Sequence, residues 1–290
     1  MKCTTRNGTL LPNPGKHEHF LSFLYQTIPG RLLLKPITAP CVSRFAGHFL
    51  SARASRILIP PFIRKFKIDM SQYAPQKYRC YNDFFSRKIR EGARPIDPCS
   101  RNLISPCDSK LSVFPITEDC RFRIKHTEYT VASLLQDPEL AAQYRRGYAL
   151  IFRLTVDDYH RYCYVADGTR EDFRRIPGIL HTVKPIASDR FPIYKDNARE
   201  FTLLHTDAFG DVVVMEVGAL MVGKIKNHAN SLQVSRGEEK GYFQFGGSTI
   251  VLLLKEGTVE IDSDLLENSQ LEMETIVRLG EKIGTSLLME

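Results

Sequence analysis

Two glycines and a serine interrupt a run that is otherwise typical of a buried strand, in the stretch YFQFGGSTIVLLLKEG (242–257). Glycine weakens a strand because it loses the most backbone entropy on folding and packs no side chain. Alone, the pattern indicates a bulge or tight bend ahead of the strand at 249–254. The hydroxyl of Ser248 is the group here that could do chemistry, and Gly246 and Gly247 leave the backbone before it permissive.

Titratable side chains are grouped at two other places in the chain. Asp108 lies in the turn SPCDSKL, where an Asx-turn is the simplest interpretation. The stretch TVDDYHRYCYVADG (155–168) combines carboxylates with His160 and Cys163. Strand alternation would put Asp158 and His160 on one face and Cys163 on the other. A histidine beside carboxylates is more often structural than catalytic, and Cys163 alone would be a small buried hydrophobic residue.

The region from about residue 103 onward is typical of short strands separated by Gly, Pro and Asp turns. The runs are KLSVFPI, RFRIKH, YALIFRLT, RYCYVADG, GILHTVKPI, FTLLHTD, DVVVMEVGALMVGKI and STIVLLL. One helix is predicted at 131–147, and LLENSQLEMETIVRLGEKIG (265–284) is predicted to form a closing amphipathic helix. The pattern therefore predicts an α+β fold with a mainly antiparallel β sandwich or barrel core.

The amino-terminal segment differs in charge from the rest of the chain. Residues 1–98 hold 17 Lys and Arg against 5 Asp and Glu, whereas 99–290 hold 23 against 28. Cations alternate with apolar clusters over short predicted helices, as in GRLLLKPITAP and ASRILIPPFIRKFKI. This interleaving suits a membrane interface with anionic head groups. A solvated helix face is the alternative, and nucleic acid is disfavoured as a partner because no recognisable binding module accompanies the cations.

The composition is that of an ordinary globular protein, with 43% hydrophobic and 25% charged residues in a chain of 290. Seven cysteines are widely spread without a CxxC pair, which indicates neither a disulfide framework nor a zinc site and favours a reducing compartment. No metal site is predicted. The amino terminus lacks a signal-peptide pattern, and no stretch reaches about 18 uninterrupted apolar residues. Secretion and membrane spanning are therefore not expected.

Six segments, taken in order, resemble the phosphatidylserine decarboxylase proenzyme family. They are YNDFFSRKIREGARPID, SPCDSKL, DYHRYCYVADG, DNARE, FGDVVVMEVGALMVGKI and RGEEKGYFQFGGSTIVLL. The resemblance covers roughly residues 75–256, and the order of the six motifs makes it specific. It implies a pyruvoyl-dependent enzyme that converts phosphatidylserine to phosphatidylethanolamine.

The resemblance also implies that the chain cuts itself between Gly247 and Ser248. Ser248 Oγ would attack the carbonyl carbon of Gly247, an approach that glycine permits because it has no Cβ. β-Elimination from the resulting ester would release residues 1–247 and leave a dehydroalanine that hydrolyses to a pyruvoyl group. This covalent cofactor, made from Ser248, would form a Schiff base with the substrate amine and act as the electron sink. The two chains, 1–247 and 248–290, would stay together as a heterodimer.

One position departs from the family pattern. The family motif is DYHRxH, and Cys163 stands where its second histidine, the base that activates the serine, is expected. The resemblance makes Asp108 the orienting carboxylate and associates His160 with decarboxylation. We favour His160 as the replacement base, because imidazole titrates near neutral pH, although a bulge or turn would then be needed. The alternatives are Cys163, whose ordinary pKa of about 8.5 makes it a poor base, Asp108 assisted by water, or failed processing.

Residues 1–75 are thus predicted to be a helical membrane-association segment and residues 76–290 the decarboxylase domain. The expected partners are phosphatidylserine and an anionic membrane surface, with a peripheral location at the cytoplasmic face. Further dimerisation of the cleaved heterodimer is left open. The alternative function is that of a processing-dead homologue that binds anionic lipid through its basic segment.

Overall fold

The structure is a computed structural model, which describes residues 2–11, 23–25, 27–124, 127–183, 193–219, 224–229, 231–244, 246 and 248–288. The helices are α1 (Ile28–Ile37), α2 (Pro40–Ser51), α3 (Ile59–Phe66), α4 (Tyr81–Phe85), α5 (Val131–Leu135), α6 (Pro138–Ala142), α7 (Ile193–Asp196) and α8 (Ser263–Gln270). Two 3-10 turns cover Arg53–Leu58 and Met70–Gln72.

The strands account for most of the remaining regular structure. They are β1 (Lys2–Thr4), β2 (Leu10–Leu11), β3 (Asn102–Ile104), β4 (Ser109–Pro115), β5 (Arg121–Ile124), β6 (Thr127–Thr130), β7 (Tyr148–Leu154), β8 (Arg161–Cys163), β9 (Gly168–Arg170), β10 (Arg174–Ile176), β11 (Arg199–Thr206), β12 (Gly210–Val217), β13 (Ile225–Asn227), β14 (Gln233–Val234), β15 (Glu239–Phe243), β16 (Ser248–Leu254), β17 (Val259–Ile261), β18 (Met273–Val277) and β19 (Lys282–Ser286).

One large sheet forms the centre of the molecule. Its order is β14-β9-β11-β12-β16-β7-β4-β18-β1-β2, with β10 also paired to β11, and it does not close on itself within the described residues. The pairs along it are antiparallel except for β1 with β18. An α+β fold with a mainly antiparallel sheet is therefore confirmed, whereas the described residues form no closed barrel.

Strand β16 occupies the middle of the large sheet, between β12 and β7. All seven of its residues are buried, and each pairs with a residue of β7. Leu252 and its neighbours can be continuously apolar because both faces of the strand are covered, which explains why the sequence STIVLLL lacks alternation. The strand that follows the two glycines is thus held along its whole length.

A separate sheet of three strands, β13-β15-β8, is called the small sheet below. Lys240 of β15 and Glu216 of β12 form a fully buried ion pair, with Nζ 2.7 and 2.8 Å from the two carboxylate oxygens. Asn227 of β13 accepts a hydrogen bond from Lys240 and donates one to Glu216. These contacts attach the small sheet to the large one. The structure also contains a three-stranded sheet, β17-β19-β3, and a two-stranded sheet, β5-β6.

Two predicted helices are wrong in extent. The helix expected at 131–147 is divided into α5 and α6, because Gln136 ends α5 in the left-handed region and Asp137 caps α6 by accepting a hydrogen bond from the backbone of Leu140. The helix expected at 265–284 is wrong after its first residues, since β18 and β19 follow α8. The described part of GILHTVKPI, residues 178–183, contains only an isolated bridge at Ile179.

The amino-terminal segment is helical from α1 to α3, as predicted, but it also contributes to the rest of the fold. Strand β1 adds to the large sheet beside β18, and the side chains of Tyr25 and Leu34 belong to the main hydrophobic core. No described helix is both long and apolar enough to span a membrane.

Candidate active site

Ser248 is the first residue of β16 and pairs with Leu154 of β7. Its side chain is completely buried. Gly246 has a φ of 129°, a backbone conformation that residues with a side chain rarely adopt, so this glycine meets a real backbone requirement. Gly247, on the other side of the predicted cut, lies outside the described residues.

His160 lies immediately before β8 and is held from two sides. Its backbone carbonyl accepts a hydrogen bond from the amide of Phe243 on β15, at 2.9 Å. Its ring packs against the ring of Phe85 from α4, with centroids 4.1 Å apart and planes 31° from parallel. The small sheet therefore fixes the backbone of His160, and α4 fixes its ring.

The two residues meet in the interior. Ser248 Oγ lies 3.4 Å from His160 Nδ1, and both side chains are fully buried. His160 Nε2 lies 2.9 Å from the carbonyl oxygen of Thr155. Because a carbonyl oxygen can only accept, Nε2 must carry the hydrogen, which leaves the lone pair of Nδ1 directed at the serine hydroxyl.

The electrostatic surroundings keep His160 neutral. Burial lowers its pKa to about 3, and the cations Arg87 and Lys110 act in the same direction. The imidazole is thus available as a proton acceptor at neutral pH, although the same burial makes it a weak one. A contact of 3.4 Å is at the long end for a hydrogen bond, as is common before a reacting complex forms.

Asp108 is placed in a different contact. Its carboxylate accepts hydrogen bonds from Arg94, the shortest at 2.6 Å, and from the backbone amide of Leu279 at 2.9 Å. Across the residues that the structure describes, Asp108 makes no hydrogen bond or ion pair with His160 or Ser248. The structure therefore brings Ser248 and His160 together, and it gives Asp108 a guanidinium as its partner.

Cys163 lies in β8 and is buried, with Sγ 4.0 Å from the carbonyl oxygen of Ser105. Burial raises the pKa of this thiol to about 12. A thiol of that pKa stays protonated at neutral pH and cannot accept a proton from a hydroxyl.

Replacing Cys163 by alanine is expected to leave self-cleavage within about threefold of the parent rate, because the removed thiol is neither a base nor a ligand here. The measurement is the fraction of cut chain against time by intact mass. A thousandfold loss in a folded Cys163→Ala protein would make Cys163 the base instead, as such a loss is typical of removing one.

Two residues near His160, Thr155 and Lys110, were not singled out by sequence, whereas Asp158 was expected on the same strand face as His160. Asp158 accepts hydrogen bonds from the backbone amide of Thr155 at 2.6 Å and from Lys110 Nζ. Lys110 comes from β4 and is 45 residues from Thr155 in sequence, so no local pattern could have signalled the contact. In the described part of the chain, His, Cys, Asp and Glu form no cluster of three that could hold a metal ion.

A buried serine hydroxyl beside an unprotonated imidazole is the arrangement of proteins that activate serine as a nucleophile. The family model described as phosphatidylserine decarboxylase matches residues 81–285. The chain is 51% identical over 266 residues to phosphatidylserine decarboxylase proenzyme 2 of Clostridium acetobutylicum, with 91% of each chain covered. It is 40% identical over 273 residues to the phosphatidylserine decarboxylase proenzyme of Desulfitobacterium hafniense strain DCB-2, with 92% of each covered. The chain therefore belongs to the phosphatidylserine decarboxylase family.

Proposed function

We propose that this protein cuts itself between Gly247 and Ser248 and then decarboxylates phosphatidylserine to phosphatidylethanolamine. The observation that carries the proposal is the contact between the buried Ser248 hydroxyl and the unprotonated Nδ1 of His160. Family membership supports the substrate, because the relatives are named for decarboxylation of this lipid and are matched over nine-tenths of their length.

The self-cleavage uses the hydroxyl of Ser248 and the peptide bond that precedes this residue. His160 Nδ1 accepts the hydroxyl proton while Ser248 Oγ bonds to the carbonyl carbon of Gly247. The carbon–nitrogen bond then breaks, and the proton passes to the released nitrogen, which gives an ester in place of the amide. Loss of the Cα proton of residue 248 and cleavage of its Cβ–Oγ bond release the carboxylate of Gly247 and leave dehydroalanine. Hydrolysis of this dehydroalanine then replaces its nitrogen by an oxygen from water. The nitrogen leaves as ammonia, and a pyruvoyl group remains at position 248.

The residues around position 248 fit a pyruvoyl group formed there. The side chain of Ser248 is enclosed, and β16 remains paired with β7 and β12 along the new amino-terminal segment. The group would supply a ketone carbonyl that takes the substrate amine and withdraws electrons from the carbon that loses carbon dioxide. His160 would hold or move a proton beside position 248.

The test follows the purified chain and its matched Ser248→Ala variant by intact mass. The parent is expected to yield fragments 1–247 and 248–290, the smaller of which reacts with hydroxylamine or borohydride. The variant is expected to stay whole. The parent, but not the variant, should form phosphatidylethanolamine from phosphatidylserine in mixed micelles. A parent chain that stays uncut on long incubation would contradict the proposal and favour the lipid-binding alternative.

Asp108 is given an indirect role in the proposal. It neutralises Arg94, whose side chain is only 8% exposed, and it anchors the backbone at Leu279. In a Ser248→Ala background, we expect Asp108→Asn to lower the free energy of unfolding by about 2 kcal/mol, the value of a hydrogen bond to a charged group. With Ser248 intact, self-cleavage is expected to stay within about tenfold of the parent rate, as measured by intact mass.

The role of orienting carboxylate, which the family resemblance gives to Asp108, predicts a different result. Loss of such a carboxylate lowers the rate by about 10⁴-fold. A decrease of that size in a folded Asp108→Asn protein would overturn the indirect role.

The helices from α1 to α3 are proposed to dock on an anionic membrane surface. Large apolar side chains are exposed along them, among which Phe45 is 79% and Ile57 77% exposed. The others are Ile28, Leu32, Leu33, Val42, Phe49 and Leu58. Arg53, Arg56, Arg64, Lys65 and Lys67 are exposed on the same stretch. Exposed apolar side chains interspersed with cations along one stretch of chain match the requirements of the lipid head-group region.

Vesicle flotation tests this surface with a triple variant, Phe45→Ser/Phe49→Ser/Ile57→Ser. These side chains are exposed, so the fold should persist, whereas removal of residues 1–70 would take away the core residues Tyr25 and Leu34. We expect binding to vesicles that contain phosphatidylserine to fall by about tenfold or more, because each buried apolar side chain contributes about 1.5–3 kcal/mol. The matched control is Leu271→Ser, which changes an exposed leucine on another element. Equal flotation of the triple variant and the parent would refute the docking surface.

A further inference from the structure

We infer that Lys110 is a positioning residue for self-cleavage, which acts through Asp158 and Thr155 on His160. The inference rests on the proposed role of His160 as the base that activates Ser248. It adds a residue on β4, in a different part of the chain from the serine and the histidine.

The first step is the contact between Lys110 and Asp158. Lys110 Nζ lies 2.7 and 2.6 Å from the two carboxylate oxygens, and the two side chains are only 14% and 15% exposed. Lys110 also donates to the hydroxyl of Thr155 at 2.8 Å. One ammonium group thus holds the carboxylate and the threonine side chain together in a largely dry setting.

The second step is the turn at residues 155–158. Asp158 Oδ2 accepts hydrogen bonds from the backbone amide of Thr155 at 2.6 Å and from its hydroxyl at 2.9 Å. The backbone amide of Asp158 in turn donates to the carbonyl oxygen of Thr155 at 2.9 Å. These contacts fix the direction of the Thr155 carbonyl.

The third step is the histidine tautomer. The Thr155 carbonyl accepts the Nε2 hydrogen of His160, so its direction decides which ring nitrogen is protonated. If that carbonyl turned away, the hydrogen could move to Nδ1, which would then face Ser248 Oγ as a donor and could not accept a proton. Lys110 therefore secures the one tautomer that lets His160 work as a base.

The hydrogen bonds among Asp158, Thr155 and His160 depend on Lys110, because its cation favours the charged form of Asp158. Burial raises the pKa of Asp158, and the Lys110 cation opposes that rise. The groups that face His160 are the cations Arg87 and Lys110, the Thr155 carbonyl, the Ser248 hydroxyl and the ring of Phe85. Without Lys110, the pKa of Asp158 rises further, because the cation that opposes the effect of burial is gone. Burial is the first cause of the low pKa of His160 and Lys110 the last one, so His160 stays neutral without the lysine.

The experiment measures the self-cleavage rate of the full chain from about pH 4 to 9 for the parent, Lys110→Met and Lys110→Arg. The parent rate should stay level towards acid pH, since His160 remains neutral there. Lys110→Met is expected to be about 100-fold slower at neutral pH, the usual cost of a misplaced catalytic group. Its rate should also fall at a higher pH than that of the parent, because Asp158 without its cation takes up a proton at a higher pH. Lys110→Arg keeps the cation and should stay within about tenfold of the parent, with the parent's pH dependence.

A fourth protein, Lys110→Met/Asp158→Asn, distinguishes positioning from loss of stability. Asparagine keeps an oxygen that accepts from the Thr155 amide but leaves no unpaired charge, so the parent's pH dependence should return. The double variant also tests whether Lys110 positions His160 if Lys110→Met alone does not fold.

The inference is overturned if Lys110→Met has the rate and pH dependence of the parent, or if the double variant keeps the shifted pH dependence of Lys110→Met. If His160→Gln also cleaves normally, the proposed base fails; if His160→Gln is inactive while Lys110→Met behaves as the parent, only the Lys110 inference fails.

Discussion

His160→Gln is expected to slow self-cleavage by about a thousandfold, within the range that a general base contributes. Glutamine can still donate a hydrogen bond to the Thr155 carbonyl, but it has no lone pair that could take the proton of Ser248 at neutral pH. The measurement is the amount of uncut chain against time by intact mass, at a temperature where both proteins are folded.

The matched control is His228→Gln. His228 is partly exposed and bonds to Glu239 at 2.9 Å, and no hydrogen bond joins it to Ser248 or His160 among the described residues. This variant should cut at close to the parent rate. A His160→Gln protein that is folded and cuts as fast as the control would remove His160 from the mechanism.

The position of Cys163 explains why the base must be found elsewhere in this chain. Its thiol is buried and protonated, and it contacts only the carbonyl of Ser105 among the hydrogen-bonding groups described for it. The carboxylate of Asp108, for its part, forms an ion pair with Arg94.

If His160 is the base, as proposed, a weak base would be sufficient, because the reaction happens once per chain. The low pKa of His160 means that full transfer of the proton to Nδ1 is unfavourable, so transfer must accompany attack by Ser248 Oγ. A rate that would be too slow for turnover can still convert the whole population of chains. The pH dependence of self-cleavage should accordingly be shallow above about pH 4, in contrast to that of a base with the ordinary histidine pKa of about 6.5.

The sequence predicted the elements whose signals are local. The run STIVLLL is a strand, and Gly246 ahead of it has an unusual backbone conformation, with a φ of 129°. His160 was favoured over Cys163 as base from the chemistry of the two side chains, and this choice stays a prediction.

The failures arise where distant residues decide the structure. Residues 273–277 are charged and apolar at spacings that suit a helix, but Glu274 pairs with Arg153, from β7 on the other side of β4, with contacts of 2.5 and 2.6 Å. That buried pair is compatible with a strand in the large sheet. In the same way, neither the Arg94 partner of Asp108 nor the Lys110 contact follows from any local pattern.

Lys240→Met is expected to lower the free energy of unfolding by about 3–5 kcal/mol, the usual result of removing one member of a buried ion pair. The side chains of Lys240 and Glu216 are both fully buried, so the remaining carboxylate would be left without its cation in the interior. Denaturant unfolding in a Ser248→Ala background measures the change without interference from the cut.

Two matched proteins make the result specific. Lys240→Met/Glu216→Gln removes both charges and should recover much of the lost stability, because the cost comes from the uncompensated carboxylate rather than from the missing attraction. Arg146→Met breaks an exposed ion pair with Glu256 and should lower the free energy of unfolding by less than about 1 kcal/mol.

The same Lys240→Met change, made with Ser248 intact, should also slow self-cleavage, because β15 carries both Lys240 and the Phe243 amide that holds His160. A Lys240→Met protein as stable as Arg146→Met would show that the buried pair does not hold the small sheet in place.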